Sequence, residues 1–364
     1  MKVSDTRNYG IDLLRFVAMF GIVTLHILNH GGGLNTETDA LHSSVVWIIE
    51  VAAYPAVNCY ALISGFTGYK NQEHQHRYWK YILVYLQVYF YSVVSAMIYV
   101  LIVRDYSLTM LLKSMLPVTT KQYWYFTAYT GVFFLEGIIN KFIYKLSKEK
   151  CQNLFVIIGC LLIYFTFCGQ FADPFCVNGG YSFLWLLIMY LVGALIKKLD
   201  IGNNTSSVKL LCLGVGLWIV TWGLKMLMGD YCFLLRYTSI TIVGMASVWL
   251  IIFSKIAVNE TFIKYIKSFT PCVFGVYLLH DNNFVRELLI SNKFSWIAMQ
   301  PILAIPLYVL FIGIAVLISC LLIDKMRYGL FSLLRINDLS VRIEHKVSNC
   351  IYKLSKRGDR TNDL

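Results

Sequence analysis

The 364-residue chain is 58% hydrophobic (aromatic residues and cysteine included) and 14% charged, against about 45–50% and roughly 25% in soluble domains. Ile82 to Val103 and Trp296 to Ile323 each pass without a charged side chain, and about 20 apolar residues cross a bilayer, so soluble, fibrous and disordered readings are excluded. The net charge of +12 forms no basic stripe interleaved with a nucleic-acid module. It lies mostly between apolar runs and in residues 325–364, as anchoring to a lipid bilayer requires, so no nucleic-acid partner is expected.

In chain order the apolar runs predict crossings at about 10–30, 44–66, 80–103, 123–142, 153–169, 181–196, 208–228, 236–254, 268–284 and 299–324. The first contains Asp12 and Arg15 with no small-residue cleavage site behind it, so it reads as a crossing and not as a signal peptide. The inner segments then carry Lys2 and Arg7; Lys70, Arg77 and Lys80; Lys141, Lys145, Lys148 and Lys150; Lys197, Lys198 and Lys209; and Lys255, Lys264 and Lys267. Residues 31–43 and 169–181 have no Lys or Arg, although Arg104, Lys113, Lys121, Lys225, Arg236, Arg286 and Lys293 fall on or near the outer side. The tail holds nine Lys/Arg against four Asp/Glu and is expected inside, which requires an even number of crossings and retains the ninth.

The expected fold class is therefore an all-α integral membrane protein with about ten transmembrane helices and both termini cytoplasmic. Residues 1–9 form the N-terminal segment, 10–324 the membrane domain and 325–364 a basic tail. That tail opens with Met326, Leu330, Phe331, Leu333 and Leu334 among basic residues, the pattern of an amphipathic surface segment. No two of the ten cysteines are spaced as CxxC. Cys59, Cys160, Cys212, Cys272 and Cys320 lie within apolar runs, where cysteine is a small hydrophobe, and Cys176 and Cys232 can pair if their loops meet.

A charge inside a crossing costs roughly 2.5–3.5 kcal/mol on insertion scales, so each needs an explanation. The first run holds Asp12, Arg15, His26 and His30. Arg15 and His26 differ by about 20° after whole turns and lie about 16 Å apart along one helix face. Arg15 alone reads as a snorkelling anchor paired with Asp12, and His26 alone as a hydrogen-bonded core histidine. Their alignment turns the balance towards a polar path. His26 and His30, four residues apart, also suit a metal, but no third ligand is identifiable and no metal is expected. Lys70, Arg77 and Lys80 read either as positive-inside charge or as a phosphate-binding group. Glu136 is either a pathway residue or a partner for a neighbouring helix.

The motif Arg15-x10-His26, after IDLLRF, resembles the first helix of the membrane acyltransferase-3 family. Ser64-Gly65-Phe66 with Lys70 is similar to its SGF-x(3–4)-Arg/Lys motif, and Arg77-Tyr78-Trp79-Lys80 to its Arg-x-x-Arg motif, with Lys in the last place. Tyr123 to Phe126 resembles the aromatic start of its fourth helix, and Gly275 to Asn282 a late YLxH segment. The ordered set spans roughly residues 8–324. The resemblance implies an O-acyltransferase that moves an acyl group, commonly acetyl from acetyl-CoA as co-substrate with no bound cofactor, to a hydroxyl of an envelope or cell-surface glycan. It implies His26 as general base or acyl carrier, Arg15 binding the donor or stabilising an oxyanion, and Asp12 orienting Arg15. Ser64, Gly65, Phe66, Lys70, Arg77 and Lys80 would serve an acyl-CoA donor, with close helix packing the other reading of Ser64-Gly65. Trp124, Tyr125 and His280 would serve a glycan acceptor, with an aromatic belt and plain interfacial placement as their other readings. The expected location is the bacterial plasma membrane. The rival class is a multi-pass transporter or sensor, which also places ionisable groups on membrane helix faces.

Overall fold

The computed structural model describes residues 7–70, 77–104 and 107–361, with side chains up to Asn349. Lys2 lies outside the described residues. The chain is 78% helix, with no strand among the described residues. In chain order the helices are α1 (Tyr9–Leu28), α2 (Ala40–Ala53), α3 (Ala56–Gly68), α4 (Tyr78–Val103), α5 (Leu108–Ser114), α6 (Trp124–Lys145), α7 (Lys148–Phe167), α8 (Phe183–Leu199), α9 (Ser207–Met228), α10 (Ile240–Ser254), α11 (Glu260–Phe269), α12 (Val273–His280), α13 (Asn283–Leu289), α14 (Ala304–Leu333) and α15 (Ile336–Thr361).

Every predicted crossing overlaps a helix or a pair of helices. Seven spans among the described residues are long and apolar enough to cross a membrane: Tyr9–Leu28, Ala40–Gly68, Tyr78–Val103, Lys148–Phe167, Ser207–Tyr231, Glu260–His280 and Ala304–Leu333. The remaining predicted crossings correspond to α6, α8 and α10. Of these, α8 has 17 residues and α10 has 15. Exposed Leu307, Phe311, Ile314, Ile318 and Leu322 follow one face of α14. Water would make that stripe an aggregation surface, whereas lipid covers it without cost.

Side-chain caps set the helix starts. Asn8 accepts from Ile11 N, and Ser147, Ser182, Ser206 and Ser239 cap α7, α8, α9 and α10. These short hydroxyls satisfy backbone N–H groups that have no partner within the first turn. Pro55 divides the second predicted crossing into α2 and α3. The ninth starts earlier than predicted, because α11 and a turn through Pro271 precede α12. Its amphipathic first part was not legible as membrane sequence.

α1 lies at the centre, packed on α2, α3, α10, α12 and α14. The closest pair is α3 and α8, and glycine accounts for it. A Cβ on Gly65 would lie 1.9 Å from the Tyr190 carbonyl oxygen, and one on Gly193 would lie 2.1 Å from that of Leu62. Gly65→Ala is therefore expected to destabilise the protein by about 1–3 kcal/mol through overpacking. A lowered melting temperature in detergent checks this, with Gly159→Ala as control, since nothing lies within 4 Å of a Cβ there.

Beyond residue 324, α14 continues unbroken to Leu333, and α15 returns along α4, where Glu344 accepts from Tyr78 N at 2.8 Å. Asp324 is fully buried at that junction. Arg327 donates to both of its oxygens at 3.0 and 2.6 Å, while Tyr91 and Gln87 of α4 add bonds at 2.7 and 3.1 Å. Gly275 of α12 makes room, because a Cβ there would lie 2.1 Å from the Asp324 carboxyl. Cys176 and Cys232 are free thiols, so the pairing their positions allowed does not occur here.

Candidate active site

α1 carries its two aligned groups into two separate cavities. At the end of the bundle where α1 begins, Arg15, Ser64, Lys80, Tyr81, Tyr129 and Glu136 line a cavity of about 480 Å³, termed inner after the side expected for the start of α1. Towards the other end, His26, His30, Glu50, Trp124, Asp281 and Arg286 line an outer cavity of about 270 Å³. Tyr60, Tyr125 and Phe274 belong to both linings, so one aromatic layer separates the cavities. The Tyr60 hydroxyl donates to the Arg15 carbonyl at 2.8 Å, fixing this layer to α1.

Arg15 pairs with buried Asp12, which is also bonded to Arg7 at 2.5 Å. A carboxylate between two guanidinium groups restricts the rotamer of Arg15 and keeps its charge compensated. Among the other residues assigned to a donor, Ser64 and Lys80 line the inner cavity. Gly65 faces α8, and the Phe66 ring lies under Lys197 at 5.6 Å. Lys70 follows the end of α3, and Arg77 is an exposed residue just before α4; neither lines the cavity. The structure thus brings together Arg15, Ser64 and Lys80, with Glu136 beside them.

In the outer cavity, Trp124 and Tyr125 form part of the aromatic wall. His280 sits behind His26 and does not line the cavity. Its Nε2 lies 2.9 Å from Nδ1 of His26, and its Nδ1 lies 2.6 Å from the Val276 carbonyl oxygen. A carbonyl only accepts, so Nδ1 of His280 carries the proton and, in the neutral ring, Nε2 accepts. His26 Nδ1 is then the donor, and the lone pair of His26 is left on Nε2. One backbone carbonyl thereby sets the tautomer of two imidazoles in series, and the outer one is left as a base.

Asp281 Oδ1 lies 3.6 Å from His26 Nδ1 and accepts from Arg286 at 2.9 Å. His30 lies past the end of α1 but remains beside His26, with ring centroids 5.1 Å apart. The segment after it is held by Asn292 and Phe294, whose N–H groups donate to the carbonyls of His30 and Gly31 at 2.9 Å each. Asp281 also supplies the third ligand that His26 and His30 lacked in sequence, with ligand atoms of all three within 4.8 Å of one another. Arg286, bonded to that carboxylate, adds positive charge where a cation would sit, which opposes metal binding.

The sequence matches the acyltransferase domain of the acyltransferase 3 family over residues 8–324. The chain belongs to this family. Comparison with curated proteins and with solved structures gives no match. As an acyltransferase 3 protein it is a multi-pass membrane acyltransferase, working between an acyl donor and an acceptor. Among the acidic and basic residues lining this acyltransferase's outer cavity, Glu50, Asp281 and Arg286 were not singled out in sequence as site residues. A signal existed for Glu50 and for Arg286. Glu50 is the one carboxylate in the second predicted crossing, and Arg286 broke the positive-inside pattern. Two other exceptions also have internal partners: Lys225 pairs with Asp230 at 3.0 Å, and Arg236 donates to the Gly169 carbonyl at 2.9 Å.

Proposed function

We propose that this protein is an O-acetyltransferase of the bacterial plasma membrane, with ten crossings and both termini cytoplasmic. It takes acetyl from cytoplasmic acetyl-CoA and delivers it to a hydroxyl of a cell-surface or envelope polysaccharide. The observation that carries this reading is the pair of cavities on one face of α1, a guanidinium in the inner and a tautomerically fixed imidazole in the outer.

The inner cavity opens on cationic groups suited to the phosphates of a nucleotide thioester: Arg15 and Lys80, with Lys70 and Arg77 nearby. Its thin pantetheine arm reaches through the aromatic layer of Tyr60, Tyr125 and Phe274 to bring the thioester carbonyl to His26. A sugar hydroxyl in the outer cavity then attacks that carbonyl while His26 Nε2 takes its proton. The C–O bond forms, the C–S bond breaks, and the proton passes from His26 to the departing thiolate. Asp281, 3.6 Å from Nδ1, stabilises the transient imidazolium. Because Arg15 lies about 16 Å from His26 along the helix, it serves the donor and not the oxyanion.

Mass spectrometry of envelope glycans tests the reading. A deletion strain is expected to lose one class of acetyl ester, restored by the wild-type gene and not by Arg15→Ala at matched expression. Identical glycans in all strains would refute it.

A further inference from the structure

Three buried side-chain atoms among the described residues have no hydrogen-bond partner: Glu50 Oε2, Tyr125 OH and Tyr277 OH. All three residues line the outer cavity. Glu50 is 2% exposed, and a buried carboxylate oxygen without a partner costs free energy that natural structures rarely leave uncompensated. Three such atoms around one cavity point to groups that a bound molecule completes.

Their chemistry narrows that molecule. A carboxyl group pairs with a hydroxyl in either protonation state, accepting as the carboxylate and accepting or donating as the acid, while each phenol donates or accepts. The surrounding walls are the aromatic rings of Tyr54, Tyr60, Trp124, Tyr181 and Tyr237. Flat apolar faces combined with a few inward polar atoms match a sugar ring, which presents C–H faces and an equatorial rim of hydroxyls. The volume of about 270 Å³ lies near the lower end of small-molecule sites, which restricts the cavity to a small unit.

We infer that Glu50 is a specificity-determining residue: its carboxyl group hydrogen-bonds a second hydroxyl of a sugar unit whose other hydroxyl faces His26. This rests on the acetyl-transfer reading above and adds to it which acceptors are used. This carboxyl group therefore measures the relation between two hydroxyls on one ring, and an acceptor with an isolated hydroxyl is discriminated against.

The test uses the full-length protein in proteoliposomes with labelled acetyl-CoA and a panel of methyl hexopyranosides with their single-deoxy analogues. Wild type is expected to transfer label and to lose about 10- to 100-fold in kcat/KM on removal of one particular neighbouring hydroxyl, the range for leaving a buried polar group unpaired. Glu50→Ala should raise the acceptor KM by a similar factor, more than it lowers kcat, and should no longer distinguish that deoxy analogue. Glu50→Gln, which keeps the shape and an accepting oxygen, should fall between them, and this isosteric variant guards against simple misfolding. Wild-type acceptor KM and deoxy profile in Glu50→Gln and Glu50→Ala would overturn this inference alone. No transfer by wild type to any hydroxyl of the panel would overturn the acetyl-transfer reading together with it.

Discussion

His26→Ala is expected to lower acetyl transfer by about 10²- to 10⁴-fold, the usual contribution of a positioned general base, with little change in melting temperature. His26 is partly exposed to its cavity, so its removal leaves space already continuous with a void. The partner substitution separates base from support. His280→Ala removes the acceptor of the His26 Nδ1 proton and frees the ring to adopt the other tautomer or turn. A loss in kcat smaller than that of His26→Ala, with the donor KM unchanged, is the expected signature of a positioning residue. Single-turnover kinetics in detergent reads both. Equal activity in wild type and His26→Ala would remove the base from the mechanism.

The second large effect concerns stability. Asp324→Ala leaves Arg327, itself buried, without its bidentate partner, and also strips acceptors from Tyr91 and Gln87. Breaking a buried pair by removing one partner costs about 3–5 kcal/mol, whereas replacing both by apolar groups of similar volume is often neutral. The single variant should therefore be recovered in low yield with a sharply lowered melting temperature, and Asp324→Leu with Arg327→Met should regain most of the loss. A double variant no better than the single would show that hydrogen bonds to α4, and not the pair's charges, hold this junction.

Much of the bundle was legible because hydropathy and the 3.6-residue period act locally. The alignment of Arg15 with His26 needed only helix geometry, and α1 delivers them to successive cavities. What escaped was long-range. His280 meets His26 across 254 positions of sequence, so its place behind His26, and not on the cavity wall, follows from packing that no spacing encodes. Asp324 read as the end of a crossing and Arg327 as the start of a basic tail, yet the two form one buried pair within a continuous α14. Gly65 read both as part of a donor motif and as a small residue for close helix packing, and it lies in the backbone contact between α3 and α8. The broken second and ninth spans were hidden for a different reason. A proline between two helices leaves hydropathy unchanged while redirecting the chain, and it is the break at Pro55 that ends α2 just beyond Glu50.

The central claim is that a donor in the inner cavity and an acceptor in the outer cavity react at His26. Proteoliposomes with acetyl-labelled CoA at one face and a glycan acceptor confined to the other measure this directly. Labelled ester should accumulate on the acceptor with wild type, and only with the donor at the face bearing Arg15 and Lys80. It should fall to background with His26→Ala. Undiminished transfer by that variant, or equal transfer with the donor on either side, would contradict the account.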